Sequence, residues 1–119
     1  MRGMFRIAAV LAVLTTPAWT QDLPKGDAAN GKKVYLADGC YQCHGRVGQG
    51  GLMTGPAPVL AQTKMPYVAF QRQLRNPIND MPPYPQTLLS EKEAADIYAF
   101  LQSLPGRRPV KDIPMLNAY

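Results

Sequence analysis

With 119 residues, 12 of them proline and 10 glycine, the chain has room for one small domain with a modest core and none for a second. Its formal charge of +5 comes from 13 basic residues spread along the whole length, which excludes the dense basic face of a nucleic-acid-binding protein. Two cysteines with only two residues between them exclude a disulfide framework, in which each bridge would close a long loop.

In chain order, residues 1–20 read as a secretory signal peptide. Arg2 and Arg6 form a basic start, "IAAVLAVL" from Ile7 to Leu14 is the apolar run, and Thr16, Ala18 and Thr20 are the small residues near a cleavage point. Cleavage after Ala18 and cleavage after Thr20 both suit that rule. The apolar run is far short of the roughly 20 residues a membrane-spanning helix needs, and no later stretch supplies them. The mature protein is therefore expected to be soluble and exported, with a charge of +3 once Arg2 and Arg6 are gone, 11 basic residues against 8 acidic. Lys25, Lys32 and Lys33 near one end, and Arg107, Arg108 and Lys111 near the other, are the two places where that charge could steer an acidic partner.

The first helix is expected from Asp27, as N-cap, to Ala37, with Gly39 as its stop. It runs into "GCYQCHG", which holds both cysteines and the single histidine of the chain. Cys40, Cys43 and His44 have the C-x-x-C-H spacing of c-type haem attachment. The following loop, "GRVGQGGLMTGPAPVL", carries five glycines and two prolines, which opposes regular structure and suits close approach of the backbone to something flat. A second helix is expected over Lys64 to Arg75, with Tyr67, Phe70, Gln71 and Leu74 on one side, ended by Asn76-Pro77. Then comes "NDMPPYP", in which Pro82 and Pro83 stiffen the chain beside Met81. The third helix opens on a capping box, Ser90 with Glu93, and repeats apolar residues at Ala94, Ile97, Leu101 and Leu104 before Pro105 and Gly106 stop it. Residues 107–119 read as an extended tail. No strand pattern is present, so the fold class is all-α.

Three short helices and long irregular loops bury too little apolar surface to stand alone. A covalently held haem, a large apolar disc, would give the loops a core to pack on.

The order of these elements, a first helix ending in "CYQCH", a Gly- and Pro-rich loop, "NDMPPYP" and a last helix "LSEKEAADIYAFLQSLP", resembles a bacterial class I monohaem cytochrome c. The resemblance covers the chain from residue 21 to 106, and the tail beyond lies outside the pattern. It implies a small cytochrome c fold, three main helices and loops wrapped around one haem c per chain. Thioethers from Cys40 and Cys43 would hold the ring, and His44 would bind the iron from one face. Met81 of Met-Pro-Pro maps onto the second axial ligand, a pairing that raises the reduction potential relative to stronger donors.

The family's proline carbonyl that accepts from the histidine maps best onto Pro58 in Pro58-Val59-Leu60, with Gly55-Pro56 as a competing alignment. The resemblance also implies that the first and last helices cross at Gly31 and Tyr35 against Ile97 and Phe100. Tyr67, Arg75 and Tyr84 could touch the haem or its propionates, with a plain surface or core role as the alternative.

The function implied is electron transfer, since an iron with both axial positions filled by protein has no place for a substrate. On this reading the protein is not an enzyme, and it is periplasmic. It would take electrons from a dehydrogenase or respiratory complex and pass them to an oxidase or another cytochrome. Both free shuttles and electron-accepting subunits of periplasmic dehydrogenases have this appearance. Three other readings compete. A dithiol oxidoreductase would need a βαβ pattern around the cysteines, and a zinc site would need a fourth soft ligand. A haem with an open or labile sixth position would make a peroxidase or small-gas sensor, but no second histidine supplies a polar distal group.

Overall fold

The computed structural model describes residues 23–51 and 57–116. Among them are four α-helices and no strand, so the architecture is all-α. The expected leader, together with the Gly55-Pro56 alignment, falls outside the described residues.

Helix α1 spans Ala28–Ala37, and Asp27 caps it as the sequence predicts: its Oδ1 accepts from the N–H groups of Ala29 at 2.9 Å and Asn30 at 3.1 Å. Such a cap satisfies donors that the first turn otherwise leaves without a partner. Gly39, at φ +77°, then turns the chain into a four-residue helix, α2, Tyr41–His44. This helix is an addition to the three expected. Helix α3 covers Tyr67–Arg75 and begins three residues later than predicted. Pro66 stands at its N-cap with φ −58° and ψ 146°, and the residue before a proline is pushed out of helical conformation. Met65 therefore precedes the helix instead of starting it.

Helix α4, Glu91–Ser103, carries the capping box in full. The Glu93 N–H donates to Ser90 Oγ at 3.2 Å, and the Ser90 N–H donates to Glu93 Oε2 at 2.9 Å. Beyond Pro105 the tail is less featureless than expected, with two single 3-10 turns at Val110–Asp112 and Pro114–Leu116. Its apolar residues Val110, Met115 and Leu116 are exposed.

Helices α1 and α4 pack on each other, at the residues implied by the resemblance. A Cβ on Gly31 would lie 2.8 Å from the Ile97 backbone nitrogen and closer still to the Asp96 carbonyl, so only glycine permits this crossing. One turn on, the fully buried Tyr35 tilts against Phe100, with ring centroids 5.4 Å apart. Phe70 and Leu74 from α3, Leu89, and Ala94, Leu101 and Leu104 complete the core. Burying a side chain of this size contributes roughly 1.5–3 kcal/mol.

The same crossing holds one charge the apolar pattern does not show. Asp96, only 1% exposed, accepts from the Asp27 N–H at 2.8 Å, from Asn30 Nδ2 at 2.7 Å and from Lys92 Nζ at 2.7 Å. Burial alone would raise its pKa. The Asp27 N–H, Lys92 and Asn30 outweigh that and hold the carboxyl below its ordinary range. None of the described helices is long and apolar enough to cross a membrane.

Candidate functional site

Three residue types suited to holding a metal-bearing ring come together at the end of α1. Cys40 leads into α2 with helical backbone, and the His44 N–H bonds to its carbonyl at 3.0 Å. Residues three and four apart lie on one face of a helical turn, so Cys40, Cys43 and His44 share a side of α2. Gly45, at φ +80°, ends the turn. Its carbonyl accepts from the Tyr35 hydroxyl at 2.7 Å, which ties the motif to the α1–α4 crossing.

His44 is buried, and its Nδ1 lies 3.0 Å from the Pro58 carbonyl oxygen. A carbonyl can only accept, so Nδ1 carries the hydrogen and the lone pair is on Nε2. The glycine loop makes this approach feasible. A Cβ at Gly50, at φ +73°, would lie 2.7 Å from the Ala57 carbonyl oxygen, 2.9 Å from the Val59 nitrogen and 3.0 Å from the Pro58 carbonyl carbon. Without one, Gly50 N–H reaches the His44 carbonyl at 2.8 Å and Gly51 N–H reaches that of Ala57 at 2.9 Å. Gly50 and Gly51 thereby link the backbone of His44 to that of Ala57, beside Pro58.

Met81 is half-buried and packs against the core, as do Cys40, Tyr41, Leu60 and Tyr84. Its sulfur accepts from Gln73 Nε2 at 3.6 Å, a partner the sequence reading did not single out. Arg75, in the next turn position but one, donates from Nη1 to the carbonyls of Tyr84 at 2.6 Å and Leu89 at 2.8 Å, and from Nη2 to Glu91 Oε1 at 2.8 Å. Glu91 is held below the usual carboxylate range, chiefly by that guanidinium. Gln71 bonds to the same carboxylate through Oε2. Tyr84 donates to the Asp38 carbonyl at 3.1 Å. Tyr67 stands edge-on to Tyr98 at 5.3 Å and reaches the Glu91 carbonyl at 3.4 Å. These contacts tie Tyr67 and Arg75 to the start of α4 and Tyr84 to the end of α1.

Burial, followed by the nearby Asp38, pushes the Cys40 thiol up to about 11. The described residues hold no strand, so the βαβ surroundings that the dithiol reading needs are missing from them. Among the described residues no three His, Cys, Asp or Glu side chains gather as a metal centre would require. Two thiols at the spacing of c-type haem attachment, an imidazole with its lone pair on Nε2 and a thioether against the core are the residue types that a covalently held haem would use. The cavity of about 570 Å³ between Val47, Val59, Ala61 and Arg107 touches none of these side chains.

The family model described as cytochrome C oxidase, cbb3-type, subunit III matches residues 26–101. That span runs from just before α1 into the last turns of α4 and includes Cys40, Cys43, His44, Pro58 and Met81. No curated protein and no solved structure matches the chain.

Proposed function

The chain belongs to this family of c-type cytochrome domains, whose work is haem-based electron transfer, and from that premise we propose an exported carrier of single electrons with a His44 and Met81 ligand pair. Cys40 and Cys43 would each add S–H across one vinyl group of the porphyrin: an S–C bond forms, the hydrogen goes to the neighbouring carbon, and no oxidant is consumed. When bound, the haem supplies a one-electron couple, its iron alternating between ferric and ferrous.

The observation that carries this reading is the 3.0 Å contact between His44 Nδ1 and the Pro58 carbonyl. It orients the ring and raises its basicity, the usual arrangement for a histidine that binds metal through its other nitrogen. Met81, on the far side of the sequence from His44, is stiffened by Pro82 and Pro83 and held by the last turn of α3. Two protein ligands leave no site for substrate at the iron, so the residues hold, shield and tune the group. The partners would be redox proteins in the periplasm, a dehydrogenase or respiratory complex as donor and an oxidase or another cytochrome as acceptor. Contact between such partners is small and short-lived.

The test is a visible and near-infrared spectrum of the purified protein, oxidised and reduced, with a denatured sample alongside. Haem absorbance that stays with the denatured chain, together with a sulfur-to-ferric charge-transfer band that Met81→Ala abolishes, is the expected result. A high-spin ferric spectrum without the sulfur band would overturn the ligand pair and make the open-site peroxidase or sensor the better reading.

A further inference from the structure

We propose that the cavity between the glycine loop and the start of the tail receives an acidic segment of a redox partner, with Arg107 and Arg108 as its anchors. The proposal rests on the reading of the protein as an electron carrier. It also chooses between the two basic ends of the chain, placing the partner's segment at the arginines.

The cavity, of about 570 Å³, has walls that are bonded to one another. The two arms of the loop, 47–49 and 59–61, are joined where the N–H groups of Leu60 and Ala61 donate to the Gly48 carbonyl at 2.8 Å and 3.0 Å. The Gln62 N–H then donates to the Leu101 carbonyl at 2.9 Å, which fixes the second arm on α4. The tail closes the remaining side: a Cβ on Gly106 would lie 2.9 Å from Gln62 Oε1, so the chain leaving α4 runs directly against the loop. A site built this way is formed before its occupant arrives, which lowers the ordering cost of binding.

The lining combines two chemistries. Val47, Val59, Ala61 and Pro105 supply apolar surface, Arg107 and Arg108 supply charge, and no acidic side chain lines the cavity. Arg75 and Lys92 are matched by Glu91 and Asp96, whereas among the described residues Arg107 and Arg108 have no ion-pair partner. A guanidinium is the natural fork for a carboxylate. The occupant that answers both features carries carboxylates beside an apolar side chain. It is a protein segment rather than a small anion, because exposed apolar side chains follow along the tail at Val110, Met115 and Leu116, more than a small anion could cover. The anchors lie beyond residue 101, where the match to the family ends, so the family pattern does not supply them. Val59 follows Pro58, whose carbonyl meets His44 Nδ1 at 3.0 Å. A segment seated in the cavity therefore lies on the histidine side and touches none of Cys40, Cys43 and Met81.

The probe is a short fluorescent peptide alternating glutamate and leucine, titrated into the haem-loaded protein and read by fluorescence anisotropy. Two control peptides replace its glutamates by lysine or its leucines by serine. Saturable binding is expected for the first peptide alone, and it should weaken as salt rises. Arg107→Gln combined with Arg108→Gln should weaken it roughly threefold to tenfold, the worth of two exposed ion pairs. Val47→Asp, which sets a carboxylate in the apolar wall, should also weaken it. Lys25→Gln combined with Lys32→Gln removes the same charge at the other end of the chain and should leave it nearly unchanged. Equal weakening by the two pairs would show that only net charge is read and would overturn the proposal. So would binding of the serine peptide as tight as that of the leucine peptide, or no saturable binding at all. Vesicles of anionic phospholipid that bind where the peptide does not, or self-association that the arginine pair alone abolishes, would assign the cavity to a lipid surface or a second copy and equally overturn it. A protein without haem absorbance would sink the carrier reading instead, and the redox identity of the occupant with it, even where the peptide binds.

Discussion

Tyr35→Phe isolates one hydrogen bond between the helix crossing and the turn that carries Cys43 and His44. The ring is fully buried and stays in place against Phe100, so the substitution removes only the hydroxyl that donates to the Gly45 carbonyl at 2.7 Å. Stripping a buried acceptor of its only partner costs about 1–3 kcal/mol, whereas one net hydrogen bond is worth about 0.5–1.5 kcal/mol. The lower range applies, because the same carbonyl also accepts from the Gly48 N–H at 3.1 Å. The expected loss is about 1 kcal/mol, or about 4–8 °C in Tm for a domain of this size. Guanidinium unfolding of the haem-loaded protein, followed by far-UV circular dichroism, should show a lower midpoint at unchanged slope. Tyr35→Leu also removes the ring and opens a cavity, raising the loss to about 2–4 kcal/mol. A Phe variant within ~0.3 kcal/mol of wild type would show that the hydroxyl bond carries no stability. A loss above ~3 kcal/mol would show that Gly48 does not compensate. Either result would refute the reasoning.

The remaining predictions concern the same crossing and the last helix. Gly31→Ala gains about 1 kcal/mol of helix preference, yet its Cβ meets the backbone of Asp96 and Ile97, which cannot move as a side chain can. A net loss of about 2 kcal/mol is expected by thermal unfolding, and a stabilised variant would contradict the close approach. Ser90→Ala breaks the capping box and should cost about 1 kcal/mol in the same assay. Asp96→Asn should cost about 1–3 kcal/mol near neutral pH. The Asp96 carboxyl is held below its ordinary 3.8 in the folded protein. Its contribution is therefore complete above that value and is lost as pH falls through the lower folded one. The gap between wild type and Asp96→Asn should narrow below pH 3.8, and acid limbs that run parallel would show that Asp96 is not paired as described.

What could be read from the sequence was whatever two or three neighbouring residues decide between them. Asp27 and the pair Ser90 and Glu93 announce helix starts because a cap is a local bond, and Cys40, Cys43 and His44 announce a haem because one helical turn must carry all three. The start of α3 was misplaced by a local rule given too little weight, the effect of Pro66 on Met65. The short α2 went unread because four residues leave no periodicity to detect. The partners of Asp96, Gln73 and Arg75 went unread for a different reason. Each is polar at a position that composition assigns to a solvated face, and each finds its partner only when the chain folds back: Asp96 on Asp27 across 69 residues, Arg75 on Leu89 across 14, Gln73 on Met81 across 8. Buried polar groups are costly without partners, so these pairings do more to fix a single arrangement than the apolar residues around them, which would tolerate several. The residue types of the motif are therefore visible in the sequence, while the polar pairings around them emerge only from the fold.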